Sequence, residues 1–123
     1  MLLRERVKLL MAKNVAVVIQ EDPRKTHRPV EALRIALGLL SGSHNTTVIL
    51  LGEAVRLLWE ERDDIVDVDI FETYLPSIVD LEVPFILPST TQRSTIREEF
   101  RTQYETDESI SSFLQSMDRT LVF

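Results

Sequence analysis

Two polar loops hold most of the side chains in this sequence that are equipped for chemistry. The first, Glu21–Arg28, carries Arg24, Lys25, His27 and Arg28 just before a segment of helical spacing. The second, Pro88–Ser94, carries Ser89, Thr90, Thr91, Arg93 and Ser94 before another such segment. Free N–H groups and the dipole at a helix start attract anions. Cations and hydroxyls gathered there suit an anion or a polar substrate. The same residue types also do plainer work: Ser and Thr cap helices, and Arg and Lys solvate loops. Both readings stand at this stage, with Arg24, Lys25, His27, Arg28, Ser89, Thr90 and Arg93 as the candidate ligand-binding residues.

His27 is the one candidate general acid or base in this region. An ordinary surface histidine fits the basic loop as well, and no catalytic residue is assigned. His44 falls in a turn. Asp63, Asp64, Asp67 and Asp69 are dense, but they do not follow the spacing of an EF-hand loop. They read as a solvated acidic segment, so neither a metal nor a cofactor is expected. The sequence contains no G-x-G-x-x-G, no G-x-x-x-x-G-K-[ST] and no G-x-S-x-G. Dinucleotide binding, P-loop nucleotide binding and α/β-hydrolase chemistry lose their main sequence support.

The elements that must position these loops follow from apolar spacing. Val15–Ile19 and Thr46–Leu51 are compact runs rich in β-branched residues, as in strands buried on both faces. Val83–Leu87 is a third strand, opened by a proline. Thr120–Phe123 is a terminal strand. Pro29 suits the first position of a helix. That helix carries Val30, Leu33, Leu37 and Leu40 on one stripe and ends at Ser41-Gly42-Ser43. Val55, Leu58 and Trp59 mark a helical segment over Glu53–Trp59. Phe71–Leu81 reads as a helix containing Pro76. Ile65, Val66, Val68 and Ile70 fit a short strand, although interleaved carboxylates leave that assignment open.

Thr95 with Glu98 suggests a capping box, followed by Ile96, Phe100 and Tyr104 at helical spacing. Asp107 suits the cap of a last helix with Ile110, Phe113, Leu114 and Met117 on its stripe. Strands separated by helices give a mainly parallel sheet with helices on both faces. In such a sheet ligands bind beyond the carboxyl ends of the strands. The candidate loops and Gly52–Glu53 all fall there.

The chain of 123 residues fits a single domain over residues 13–123, with an N-terminal helix or docking arm over residues 1–12. It has 44% hydrophobic and 28% charged residues and no cysteine, so disulfides, zinc–thiolate sites and a Cys nucleophile are excluded. A net charge of −6 argues against nucleic acid as a partner. No apolar run is long enough to span a membrane, and residues 1–11 are too charged for a signal peptide. A cytoplasmic protein is the expectation. Residues 1–51 carry 8 Lys/Arg against 4 Asp/Glu, whereas residues 52–82 carry 2 against 10. That asymmetry fits self-association through complementary patches, and equally two ordinary solvated faces.

The order and spacing of four features resemble the DsrE/DsrF-like family, which includes the DsrEFH and TusBCD sulfur-relay proteins. They are the strand–helix pair Val15–Leu40, the strand Val48–Leu51 running into Gly52-Glu-Ala-Val55, the short strand Val83–Leu87 before a polar loop, and the ending Met117-Asp-Arg-Thr-Leu-Val-Phe123. The resemblance covers most of residues 14–123.

It implies a three-layer, flavodoxin-like α/β domain with a mainly parallel sheet of about five strands. It also implies assembly into trimers or hexamers, or hetero-oligomers with other DsrE-like subunits. Sulfur-carrying members hold a persulfide on a cysteine just after the strand equivalent to Val83–Leu87. Here Pro88 and Ser89 stand in that place, and Arg93 matches a basic residue that often follows the cysteine. Sulfur relay needs a thiolate that attacks and leaves as sulfur, which a hydroxyl cannot replace. The expectation is a non-catalytic binding or scaffold subunit. The alternative is a small-molecule or anion-binding domain, or an enzyme of unknown type, built on loops 21–28 and 88–94.

Overall fold

The computed structural model describes residues 12–123. All but the last residue of the helix or arm expected over residues 1–12 therefore lies outside the described residues.

A five-stranded, wholly parallel sheet organises the chain. Its strands are β1 (Asn14–Ile19), β2 (Asn45–Leu50), β3 (Phe85–Pro88), β4 (Thr102–Glu105) and β5 (Arg119–Val122), in spatial order β4-β3-β2-β1-β5. Val17 pairs with Val48 on one side and with Leu121 on the other, so β1 lies inside the sheet. Among the described residues three helices cover it: α1 (Arg28–Ser41), α2 (Val68–Asp80) and α3 (Asp107–Gln115).

The two faces are read from alternation along the strands. Val15, Val17 and Ile19 join Val48, Leu50, Phe85 and Leu87 in the main core, against Val30 and Leu33 of α1 and Phe71 and Ile78 of α2. Ala16, Val18, Ile49 and Ile86 face the other way, where Ile110 of α3 is buried and Phe113 and Leu114 pack on them. The expected α/β architecture with helices on both faces is the one observed.

Local chemistry sets the helix ends. Pro29 stands in the first turn of α1. The Thr106 hydroxyl accepts from Ser109 N–H at 3.1 Å and caps α3. Asp107, expected as that cap, is the first helical residue. Asp67 precedes α2 with φ +62°.

Two expectations need correction, and the open assignment over Ile65–Ile70 is decided. No helix runs through residues 96–104. Ile96 is buried and forms an antiparallel bridge with Trp59, Phe100 is buried in the main core, and Tyr104 lies in β4. Thr95 Oγ1 donates to the Gln92 carbonyl at 2.6 Å and closes a 3₁₀ turn, Arg93–Thr95, instead of a capping box. Ile65–Ile70 is not a strand: Ile65 closes a turn onto Arg62, and α2 begins at Val68. The segment after β2 is a 3₁₀ helix over Gly52–Leu58 that buries Ala54, Leu57 and Leu58.

Candidate functional site

The carboxyl ends of β1, β2 and β3 open into three loops on one edge of the sheet, as expected of a parallel arrangement. β2 and β3 are neighbours, so the Gly52 turn and the Ser89–Thr95 loop lie side by side. Between them is a cleft of about 270 Å³. Val55, Trp59 and Pro88 supply its apolar lining, and Thr90, Thr91, Gln92 and Thr95 its polar lining. Gly52 completes it with φ +55°, a conformation that costs glycine little. No charged side chain lines this cleft among the described residues.

The first loop is tied down by its own charges. Asp22 accepts from Arg24 Nη2 at 2.8 Å and from Nε at 3.1 Å, and Arg24 also reaches Glu53 at 3.5 Å. The bonds from Arg24 hold the Asp22 carboxyl well below its usual range, at about 2. Arg28 pairs with Glu21 at 2.7 Å and lies 5.7 Å from the centre of the Phe123 ring. The Phe123 carbonyl accepts from Gln20 N–H at 2.7 Å and from Glu21 N–H at 3.3 Å. Val66 N–H donates to the Pro23 carbonyl at 2.8 Å, which pins the loop on its other side. Lys25 and His27 are exposed. The His27 carbonyl accepts from Glu31 N–H at the start of α1, and its imidazole makes no capping bond.

The structure therefore spreads the seven candidate residues. Thr90 lines the cleft. Ser89 is exposed, and its N–H donates to the Glu105 carbonyl at 2.8 Å, which extends the β3–β4 pairing. Arg93 turns onto the Tyr104 ring, 4.2 Å from its centre. The basic loop reaches the Gly52 turn through the Arg24–Glu53 pair.

Trp59 is the residue that the sequence reading assigned to a helical stripe and not to the site. It borders the cleft and two adjoining hollows, one flanked by Glu61, Asp63 and Asp64, the other by Glu60 and Ser94. The Arg56 guanidinium lies 4.2 Å from the centre of its ring and pairs with Glu53. Its Nε1–H is buried and meets no acceptor among the described residues. Nearby Arg62, only 5% exposed, donates to the Trp59 carbonyl at 3.2 Å and to Glu72 at 3.3 Å. It also lies 5.3 Å from the centre of the Phe71 ring. Among the described residues, no group of three or more His, Cys, Asp or Glu is placed to hold a metal ion. No helix of the described residues is long and apolar enough to cross a membrane.

No family model matches the sequence, and no curated protein sequence is similar to it at a significant level. The fold is similar to that of the ychN protein from E. coli. The two align with a TM-score of 0.69 at 17% identity, over 90% of this chain and 99% of that one. The shared feature is the fold, a parallel α/β sheet with helices on both faces.

Proposed function

We propose that this chain is a cysteine-free member of the DsrE/DsrF-like family that assembles and binds without carrying sulfur itself. The observation that carries this reading is the end of β3. There, Pro88 leads into Ser89, whose backbone is bound to β4 and whose side chain is an exposed hydroxyl. A relay of sulfane sulfur forms and breaks S–S bonds, and a hydroxyl oxygen near its normal pKa forms none.

Assembly into a homotrimer or homohexamer, or with other DsrE-like subunits, fits the exposed apolar side chains Ile70, Leu81, Leu121 and Val122. Other large apolar side chains are not free for that purpose: Phe71 is fully buried, and Tyr74 and Trp59 pack against the main core. A cytoplasmic location belongs to the same proposal.

Light scattering on the eluting peak of a gel-filtration column, at micromolar concentration, tests the assembly. A mass three or six times that of the chain, or co-elution with a second DsrE-like subunit, is expected; a clean monomer refutes it. Incubation with a persulfide donor followed by intact-mass spectrometry tests the chemistry. A stable adduct heavier by one sulfur atom refutes the sulfur-free role.

The cleft beside β2 and β3 favours a second function alongside the first: the strand ends hold a small molecule. Its mixed apolar and hydroxyl lining at the strand ends supports that reading.

A further inference from the structure

We infer that the Trp59 cleft takes an uncharged aromatic carboxamide: a flat apolar ring bearing one carbonyl acceptor and an amide donor. The inference rests on the small-molecule reading above and adds the class of ligand.

Charge is the first argument. The cleft lining is wholly uncharged, and the nearby cations are engaged elsewhere. Arg24 is held by Asp22 and Glu53, Arg56 by Glu53 and the Trp59 ring, and Arg93 by the Tyr104 ring. An anion entering would lose its water and gain no cation. It would also feel the carboxylates of Glu60, Glu61, Asp63 and Asp64 in the adjoining hollows. Those carboxylates stand outside the cleft itself, so an ammonium seated in it would have no paired oxygen either.

Shape is the second. A volume of about 270 Å³ lies just below the usual range of ~300–1,000 Å³ for ligand pockets, which suits one ring and not a nucleotide. Val55, Trp59 and Pro88 offer apolar surface, and the indole favours offset or edge-on stacking. Gly52 leaves open space where a Cβ would stand.

Hydrogen bonding is the third. The buried Nε1–H of Trp59 is an unmet donor, and an unmet buried donor is costly. That group has no open surface, so a ligand carbonyl is met instead by the Gln92 amide and the threonine hydroxyls that line the cleft. Gln92 and the threonine hydroxyls can accept from an amide NH₂.

The protein contains a single tryptophan, so its fluorescence reports on this cleft directly. Three probes share one ring size and differ in charge: benzamide, benzoate and benzamidinium. Each is titrated to millimolar concentration against the full chain. The expected result is a saturable change in Trp59 emission with benzamide, at least about ten-fold tighter than with either ion, since neither finds a counter-charge. By calorimetry, Trp59→Phe weakens benzamide binding about two- to ten-fold, as the smaller stacking surface of a phenyl ring requires. Thr90→Val, which keeps the indole and the fold, also weakens it. Equal or tighter binding of benzoate or benzamidinium overturns the ligand class while leaving the small-molecule reading in place. Saturation by none of the three overturns both. Unchanged benzamide binding in Trp59→Phe and Thr90→Val overturns the assignment to this cleft.

Discussion

Three N–H groups of Arg24 converge on the carboxylate of Asp22: the backbone N at 2.9 Å, Nε at 3.1 Å and Nη2 at 2.8 Å. One residue thus closes both the turn after β1 and the charge of the loop. The arrangement holds the carboxyl at about 2, below its ordinary 3.8. A folded-state pKa below the unfolded one means that the unfolded chain binds the proton more readily. The contribution is complete above about pH 4 and is lost as the pH falls towards 2. Urea unfolding between pH 2 and pH 6 should show this acid-sensitive limb in the natural chain, and Asp22→Asn should flatten it. An unchanged limb in the variant would remove Asp22 as its source.

Phe85 and Phe100 meet edge to face, with centres 5.8 Å apart and planes at 75°. Both are buried in the main core, Phe85 at 1% exposure. Phe85→Ala should cost about 3–5 kcal/mol. A double-mutant cycle with Phe100→Ala should return about 0.5–1.5 kcal/mol of coupling. Additive losses in equilibrium unfolding would show that the ring pair contributes no more than its burial.

α3 alone covers the second face of the sheet among the described helices, and its first turn depends on the Thr106 hydroxyl. Thr106→Ala should destabilise the chain by about 0.5–2 kcal/mol, while Thr106→Ser keeps the bond and most of the stability. Equal losses in the two variants would rule out capping as the cause.

Gly52 sits at φ +55° with nothing within 4 Å of a built Cβ. Gly52→Ala therefore meets strain without collision, and about 1–2 kcal/mol is the expected loss in thermal or urea unfolding. A neutral or stabilising result would mean that the backbone there relaxes out of the left-handed region.

Much of this arrangement is legible in the sequence because the inner strands are apolar on both faces. β1 and β2 announce themselves through runs such as Val15-Ala-Val-Val-Ile19, which only a covered sheet can bury. β4 does not. Thr102-Gln-Tyr-Glu105 is short, polar and at an edge, with no partner strand on one flank among the described residues. The spacing of Ile96, Phe100 and Tyr104 imitates a helix, yet each reaches the core from irregular backbone or from a strand, by way of Trp59, Phe85 and β3. Periodicity records which residues are buried, not which backbone buries them.

The site was half legible for a different reason. Loop positions at strand ends follow from topology, and the Thr90 loop stands where it was expected. The fate of Arg24 and Arg28 depends on Glu21, Asp22 and Glu53, and charge pairing across 29 residues leaves no pattern in a linear string. A lone tryptophan seven residues past the Gly52 turn was the available signal for the cleft, and its helical spacing with Val55 hid it.

The placement of β5 beside β1 reaches into the birth of the protein. Asn14 N–H donates to Asp118 across 104 positions of chain, at 2.7 Å, and Asp118 N–H returns a bond to the Asn14 carbonyl at 2.8 Å. During synthesis, β1 and β2 can pair early, but the other flank of β1 waits for residues 119–122 to emerge. Until then a nascent chain presents Val15–Ile19 as a bare, sticky ribbon, the kind of surface that recruits chaperones or neighbouring polypeptides. Truncations before Arg119 should consequently aggregate instead of yielding a smaller sheet.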